Sequence, residues 1–156
     1  MSKPPDKNIL LIQDNKKAFH DFEIFERFEA GLQLTGSEVK SLRNKSVQLK
    51  DAYVAFRGKE AFLQNAHISE YKASSYNNHS PERVRKLLLN ENELDEISRA
   101  LQERGLTCVP LKIYFKKGWA KIEIGLARGK KLHDKREAIK TKDINNRLRD
   151  VMKKSR

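Results

Sequence analysis

Val109 to Leu126 read VPLKIYFKKGWAKIEIGL, two alternating apolar runs on either side of Lys117-Gly118. Val109, Leu111, Ile113 and Phe115 alternate on the way in, and Ala120, Ile122, Ile124 and Leu126 on the way back. A period of two marks a half-buried strand, and Lys-Gly between two such runs marks a turn, so the stretch predicts a β-hairpin. If the apolar positions face a core, the opposite face carries Lys112, Tyr114, Lys116, Trp119 and Lys121, because successive side chains alternate across a strand. Ammonium groups interleaved with aromatic rings suit RNA, whose phosphates attract cations and whose unstacked bases attract rings. The same pattern also fits Tyr114 and Trp119 filling a minor core while the lysines solvate the outside.

Working outward, Phe22 to Leu34 alternates in the same way and predicts a further strand, with Gly31 as a bend or bulge. Thr35 with Glu38 forms a capping-box pattern that opens the short helix SEVKSLR. There Val39 and Leu42 share a buried face and leave Lys40 and Arg43 free. Residues 52–57 and 61–68 flank Gly58 as a second hairpin. The polar segment SSYNNHSPER then loops into RKLLL, where Arg83, Arg85 and Lys86 place charge at a loop-to-helix junction suited to gripping a phosphate backbone. Leu87, Leu88 and Leu89 cannot all be buried by one helical face, which leaves one as an exposed apolar contact. Asn90 and Glu93 cap a longer helix through Leu94, Ile97 and Leu101, which Gly105 stops. Antiparallel strands with inserted helices predict an α+β fold, an OB-like β-barrel with about three helices. Residues 1–7 read as a flexible leader, 8–128 as the barrel, and 129–156 as a basic tail, disordered when free.

The 156 residues contain 33 Lys and Arg against 21 Asp and Glu, a net charge of +12. From Arg128 to the end, 12 Lys and Arg face only Asp134, Glu137, Asp143 and Asp150, so the last 29 residues hold +8 of that total. The tail has too little apolar content for a core, and Ile144, Leu148, Val151 and Met152 align into one stripe only if it becomes helical. Nucleic acid is the first partner such charge implies, because each neutralised phosphate releases counterions, and an anionic membrane surface is the second. No apolar run approaches the roughly 20 residues that span a bilayer, so a soluble cytoplasmic protein is expected. Cys108 is the only cysteine, which precludes an intramolecular disulfide and agrees with a reducing compartment.

Catalytic signatures are weak. His20, His67, His79 and His133 show no metal-ligand spacing, and Cys108 sits in a strand pattern that suits a core residue better than a nucleophile. GLARGKK falls one residue short of a phosphate-binding loop and has Lys131 where a magnesium-holding Ser or Thr belongs. No cofactor or metal is expected.

FEAGLQLTGSEVKSLR (28–43), DAYV (51–54), RVRKLLLNENEL (83–94) and PLKIYFKKGWAKIEIGLARGKKLHDKR (110–136) together resemble the bacterial SsrA-binding protein (small protein B) family over nearly the whole chain. Phe22 stands where Tyr is usual and Asn90 where His or Lys is common. The resemblance implies an OB-like barrel that binds the tRNA-like domain of tmRNA (SsrA RNA) and delivers it to stalled ribosomes for trans-translation. Its implied partners are tmRNA and, on the small subunit, the rRNA of the decoding centre and the empty mRNA channel, where the tail lies as a helix. Glu29, Leu88 and Lys121 match positions used on the tRNA-like domain, with Lys40, Arg43, Arg85 and Lys86 as backbone contacts; Arg83, Lys112, Lys116 and Trp119, singled out by charge and alternation, join them as expected RNA-binding residues. His20 matches a histidine near the decoding centre, Gly129, Lys130, Lys131, His133, Asp134, Lys135 and Arg136 the tail motif, and Val151 with Met152 an apolar pair near its end. A monomeric adaptor without enzymatic activity is therefore expected. A small RNA-processing enzyme and an integral ribosomal protein are the competing readings.

Overall fold

The computed structural model describes residues 8–71 and 78–130. In chain order its elements are β1 (Ile9–Asp14), α1 (Lys16–Asp21), β2 (Phe22–Leu32), α2 (Gly36–Arg43), β3 (Val47–Gln48), β4 (Tyr53–Arg57), β5 (Glu60–Gln64), β6 (His67–Ile68), β7 (Arg85–Leu88), α3 (Glu91–Glu103), β8 (Thr107–Lys116) and β9 (Trp119–Gly129). Seven strands form one antiparallel sheet in the order β1-β8-β9-β2-β7-β5-β4, while β3 pairs with β6. The expected α+β architecture is present, with three helices among the described residues. The sheet curls until β4 lies against β8, but the ladder stays open, with β1 and β4 as its ends.

Local signals set several of these boundaries. Lys117 and Gly118 both have positive φ, 51° and 82°, the two-residue turn whose twist suits a tight hairpin. Both capping boxes form: the Thr35 hydroxyl accepts the Glu38 N–H while Glu38 Oε1 accepts the Thr35 N–H, and Asn90 and Glu93 repeat the exchange. Gly105, at φ +63°, ends the chain's turn out of α3.

Bulges decide which alternating positions reach which side. One bulge falls between Pro110 and Lys112 in β8, and another between Ile24 and Glu26 in β2. Pro110 has no N–H for the ladder, and an extra residue there swaps the faces of the strand. Ile113 and Phe115 enter the main core with Ile122, Ile124 and Leu126, as the alternation predicts. Val109 and Leu111 instead face the opposite side and form a second cluster with Ala18, Ala127, Phe22 and Ile24. The helix that covers this cluster, α1, has no side-chain N-cap and only six residues, so the sequence carries little sign of it. The expected irregularity at Gly31 lies instead at Phe25. Gly31 is where β2 passes from pairing with β9 to pairing with β7.

Two other expectations are corrected. Residues 61–68 split at Asn65, whose φ of 60° ends β5, and His67–Ile68 join Val47–Gln48 in the small sheet. Arg85–Leu88 of RKLLL form a strand rather than the run-in to a helix, which buries Leu87 and turns Leu88 outward. The main core gathers Leu42 from α2 and Ile97 and Ala100 from α3 over the sheet interior, where Cys108 is also buried. Burial pushes the Cys108 thiol up to about 12, which leaves it inert as a nucleophile at neutral pH.

Candidate nucleic-acid interface

The outer face of β8, β9 and β2 is built by register. Tyr114 pairs with Lys121 and Lys112 with Glu123, while Glu123 pairs with Glu29 and Lys121 with Gly31, which in turn pairs with Leu88 of β7. Lys86, two residues before Leu88, extends the same face. Lys112, Lys116, Trp119, Lys121, Glu29, Leu88 and Lys86 are thereby brought together from positions 29 to 121. Trp119 is 73% exposed at the hairpin tip, and Leu88 is 53% exposed over Gly31. A Cβ at Gly31 would stand 3.2 Å from Leu88 Cβ, so only glycine lets the leucine lean across unhindered.

Charge on this face is arranged in pairs. The Tyr114 hydroxyl donates to Glu29 Oε2, and Lys116 Nζ approaches the same oxygen at 3.4 Å. The Tyr114 hydroxyl is the main cause that holds the Glu29 carboxyl below its usual range; burial opposes it, and Lys116 and Lys121 add to it. Glu123 receives Arg27 at 3.3 Å and Lys112 at 3.5 Å. Tyr114 is therefore neither a stacking platform nor a member of the main core, but a buried ring with its polar end at the surface. Lys40 lies over the Tyr71 ring at 5.5 Å and Arg43 over Phe115 at 5.9 Å, both exposed on α2.

Arg85 is placed differently from the other cations. It is fully buried, and its guanidinium donates to Glu38 Oε2 and to the carbonyls of Ala66 and Pro81. Arg83 donates to Glu38 Oε1 at 2.6 Å and to the Gln33 carbonyl. Burial alone would raise the Glu38 carboxyl, but hydrogen bonds from Arg83, the Thr35 N–H and Arg85 outweigh it and hold it down to about 2. The grouping of Arg85 with the surface cations is thus corrected, since it has no open side toward a polyanion; Arg83 is half committed in the same way. Nearby, His79 joins the Ser37 hydroxyl to the Ile68 carbonyl, with 2.8 Å on each side, and ties α2 to β6.

A second constellation forms at the far end of β2. Phe22 pairs with Gly129, the Lys130 N–H donates to the Asp21 carbonyl at 2.8 Å, and Lys130 Nζ reaches the Phe19 carbonyl at 3.2 Å. His20 Nδ1 lies 2.8 Å from Asp21 Oδ1. The end of β9 is therefore fixed beside His20, on the last turn of α1, where the Lys130 ammonium suits the helix carbonyls. Lys131, His133, Asp134, Lys135, Arg136, Val151 and Met152, with the tail stripe and the leader, lie outside the described residues.

Among the described residues no His, Cys, Asp or Glu group could hold a metal ion, and no helix is long and apolar enough to cross a membrane. Sequence reasoning missed β1, whose Ile9 and Leu11 edge the outer face, and it missed the Tyr114–Glu29 bond. The unbroken run ILLI was the one available sign of β1.

Comparison with known proteins places these features in context. The family model described as SmpB protein matches residues 12–154. An SsrA-binding protein of Bdellovibrio bacteriovorus is 65% identical over 150 residues, covering 96% of this chain and 99% of that protein. An SsrA-binding protein of Syntrophobacter fumaroxidans is 56% identical over 146 residues, covering 94% and 91%. Among solved structures, a chain from the work described as "tmRNA-SmpB: a journey to the center of the bacterial ribosome" superposes with a TM-score of 0.67 at 45% identity, covering 85% of this chain and 94% of that one.

Proposed function

The chain belongs to the SmpB protein family, and on that premise we propose that it is an RNA-binding adaptor of trans-translation. It binds tmRNA and delivers it to stalled ribosomes, where the RNA rescues the ribosome and tags the incomplete peptide for degradation. It does so without chemistry of its own, as a cytoplasmic monomer. The observation that carries this reading is the separation of two surfaces along β2. Its C-terminal end joins Lys121, Gly31 and Leu88, while its first residue pairs with Gly129, where the basic tail departs.

The first surface meets the tRNA-like domain through Glu29, Leu88 and Lys121, with Lys40, Arg43, Lys86, Lys112, Lys116 and Trp119 around them. Cations there neutralise phosphates, and Trp119 and Leu88 offer apolar surface to unstacked bases. Arg83 and Arg85 serve this surface from beneath, by holding α2 to β7. The second surface, His20 with Gly129 and Lys130, meets the decoding centre, and the tail from Lys131 to Met152 enters the mRNA channel. Purification of the tagged protein from cells tests the reading directly. tmRNA should be the enriched RNA, beyond its share of total RNA, and recovery of bulk rRNA and tRNA in cellular proportion would overturn it.

A further inference from the structure

We propose that Tyr114 is a positioning residue for nucleotide recognition, holding Glu29 so that one carboxylate oxygen is presented to an unpaired base that bears an exocyclic amino group. The inference rests on Glu29 belonging to the tmRNA-binding face. Tyr114 is 4% exposed, and its hydroxyl has one partner among the described residues, Glu29 Oε2. Lys116 approaches that same oxygen, so both restraints fall on Oε2, and no hydrogen bond from the described residues reaches Oε1. A carboxylate accepts hydrogen bonds only, so what Glu29 can recognise is a donor.

The surroundings fit a base. Glu29 and Tyr114 line an open cavity of about 520 Å³ together with the part-exposed Ile9 and Leu11 of β1 and the charged side chains of Asp14, Lys112 and Glu123, the last of which is already paired with Lys112 and Arg27. Apolar walls suit a ring face, and the acidic oxygen suits the amino group of adenine, cytosine or guanine while repelling a phosphate. A free glutamate would lose rotamer freedom on binding; one already held by a buried phenol has less to lose. The same hydroxyl is the leading cause that keeps the Glu29 carboxyl below its usual range, so the acceptor stays ionised in mild acid.

A double-mutant cycle on affinity for a full-length tmRNA transcript tests the inference. Tyr114→Phe should weaken binding about tenfold, the usual scale for a hydrogen bond to a charged group, and should shift the acid limit of binding to higher pH. In a Glu29→Gln background the same substitution should change affinity by less than about twofold, because coupled residues are not additive. Equal losses in both backgrounds would show that the phenol acts only on the fold and would overturn the inference alone. Wild-type affinity in Glu29→Gln would overturn the place of Glu29 on the RNA face, and this inference with it. Glu29→Asp keeps the charge but withdraws it from Tyr114, so it should bind as poorly as Glu29→Gln; wild-type affinity there would mean that charge suffices without positioning.

Discussion

Glu38 and Arg85, 47 positions apart in the chain, meet as an ion pair with both side chains fully buried, the Arg85 Nε–H donating to Glu38 Oε2. Removing one partner of such a pair leaves an uncompensated interior charge, which costs about 3–5 kcal/mol. Glu38→Gln should therefore lower the free energy of unfolding by that amount at pH 7. The Glu38 carboxyl is held at about 2 when folded against a usual 4.5, so its contribution is fully present above about 4.5 and is lost as pH falls through 2. The shift corresponds to about 3 kcal/mol. Urea unfolding of both proteins from pH 7 to pH 2 should show the gap between them closing in acid, and a gap independent of pH would contradict the assignment.

Lys121 pairs in register with both Tyr114 and Gly31, and the exposed Leu88 lies on the far side of Gly31. If Lys121 meets a phosphate on the proposed interface, Lys121→Glu should weaken tmRNA binding and lower the slope of log affinity against log salt by about one. Arg85→Met, by contrast, should lower stability and leave that slope unchanged. Titrations at four or more salt concentrations distinguish the two, and an unchanged slope in Lys121→Glu would mean that the lysine contacts something other than phosphate.

What the sequence made legible was local in kind. Thr35 with Glu38 and Asn90 with Glu93 cap helices across three residues, and Lys117-Gly118 turns in two, so pattern alone located them. Features that depend on distant partners were hidden. The burial of Arg85 is decided by Glu38, and the role of Tyr114 by Glu29, 85 positions away. The bulge beside Pro110 reversed the faces of Val109 and Leu111, and with them the need for α1. A period of two registers alternation but not the extra residue that inverts it.

Leu88 reaches the surface by leaning over Gly31, where an added Cβ would stand 3.2 Å from Leu88 Cβ and 3.5 Å from its Cδ1. Gly31→Val should displace the leucine, cost about 1–3 kcal/mol of stability as overpacking does, and reduce tmRNA affinity as far as Leu88→Ala does. Thermal unfolding and filter binding check the two effects together. Full affinity in Gly31→Val would show that the placement of Leu88 is immaterial.

Just past β9, Lys130 bonds to the carbonyls of Asp21 and Phe19, and a chain ended after Lys130 keeps both of these hydrogen bonds. Eight steps along β9, from Gly129 opposite Phe22 to Lys121 opposite Gly31, separate that end of the strand from Lys121, which is about 26 Å at a strand's rise. The screening length in physiological salt is about 8 Å, so charge held near Phe22 contributes little attraction at Lys121. The truncated protein should thus bind tmRNA within about twofold of the full chain at 0.15 M ionic strength, as charges beyond a screening length contribute little. It should nonetheless fail to support peptide tagging in a reconstituted translation system stalled on a message without a stop codon. Loss of tmRNA binding on truncation would show that the two surfaces act as one, and tagging at the full rate would show that the tail does not take part.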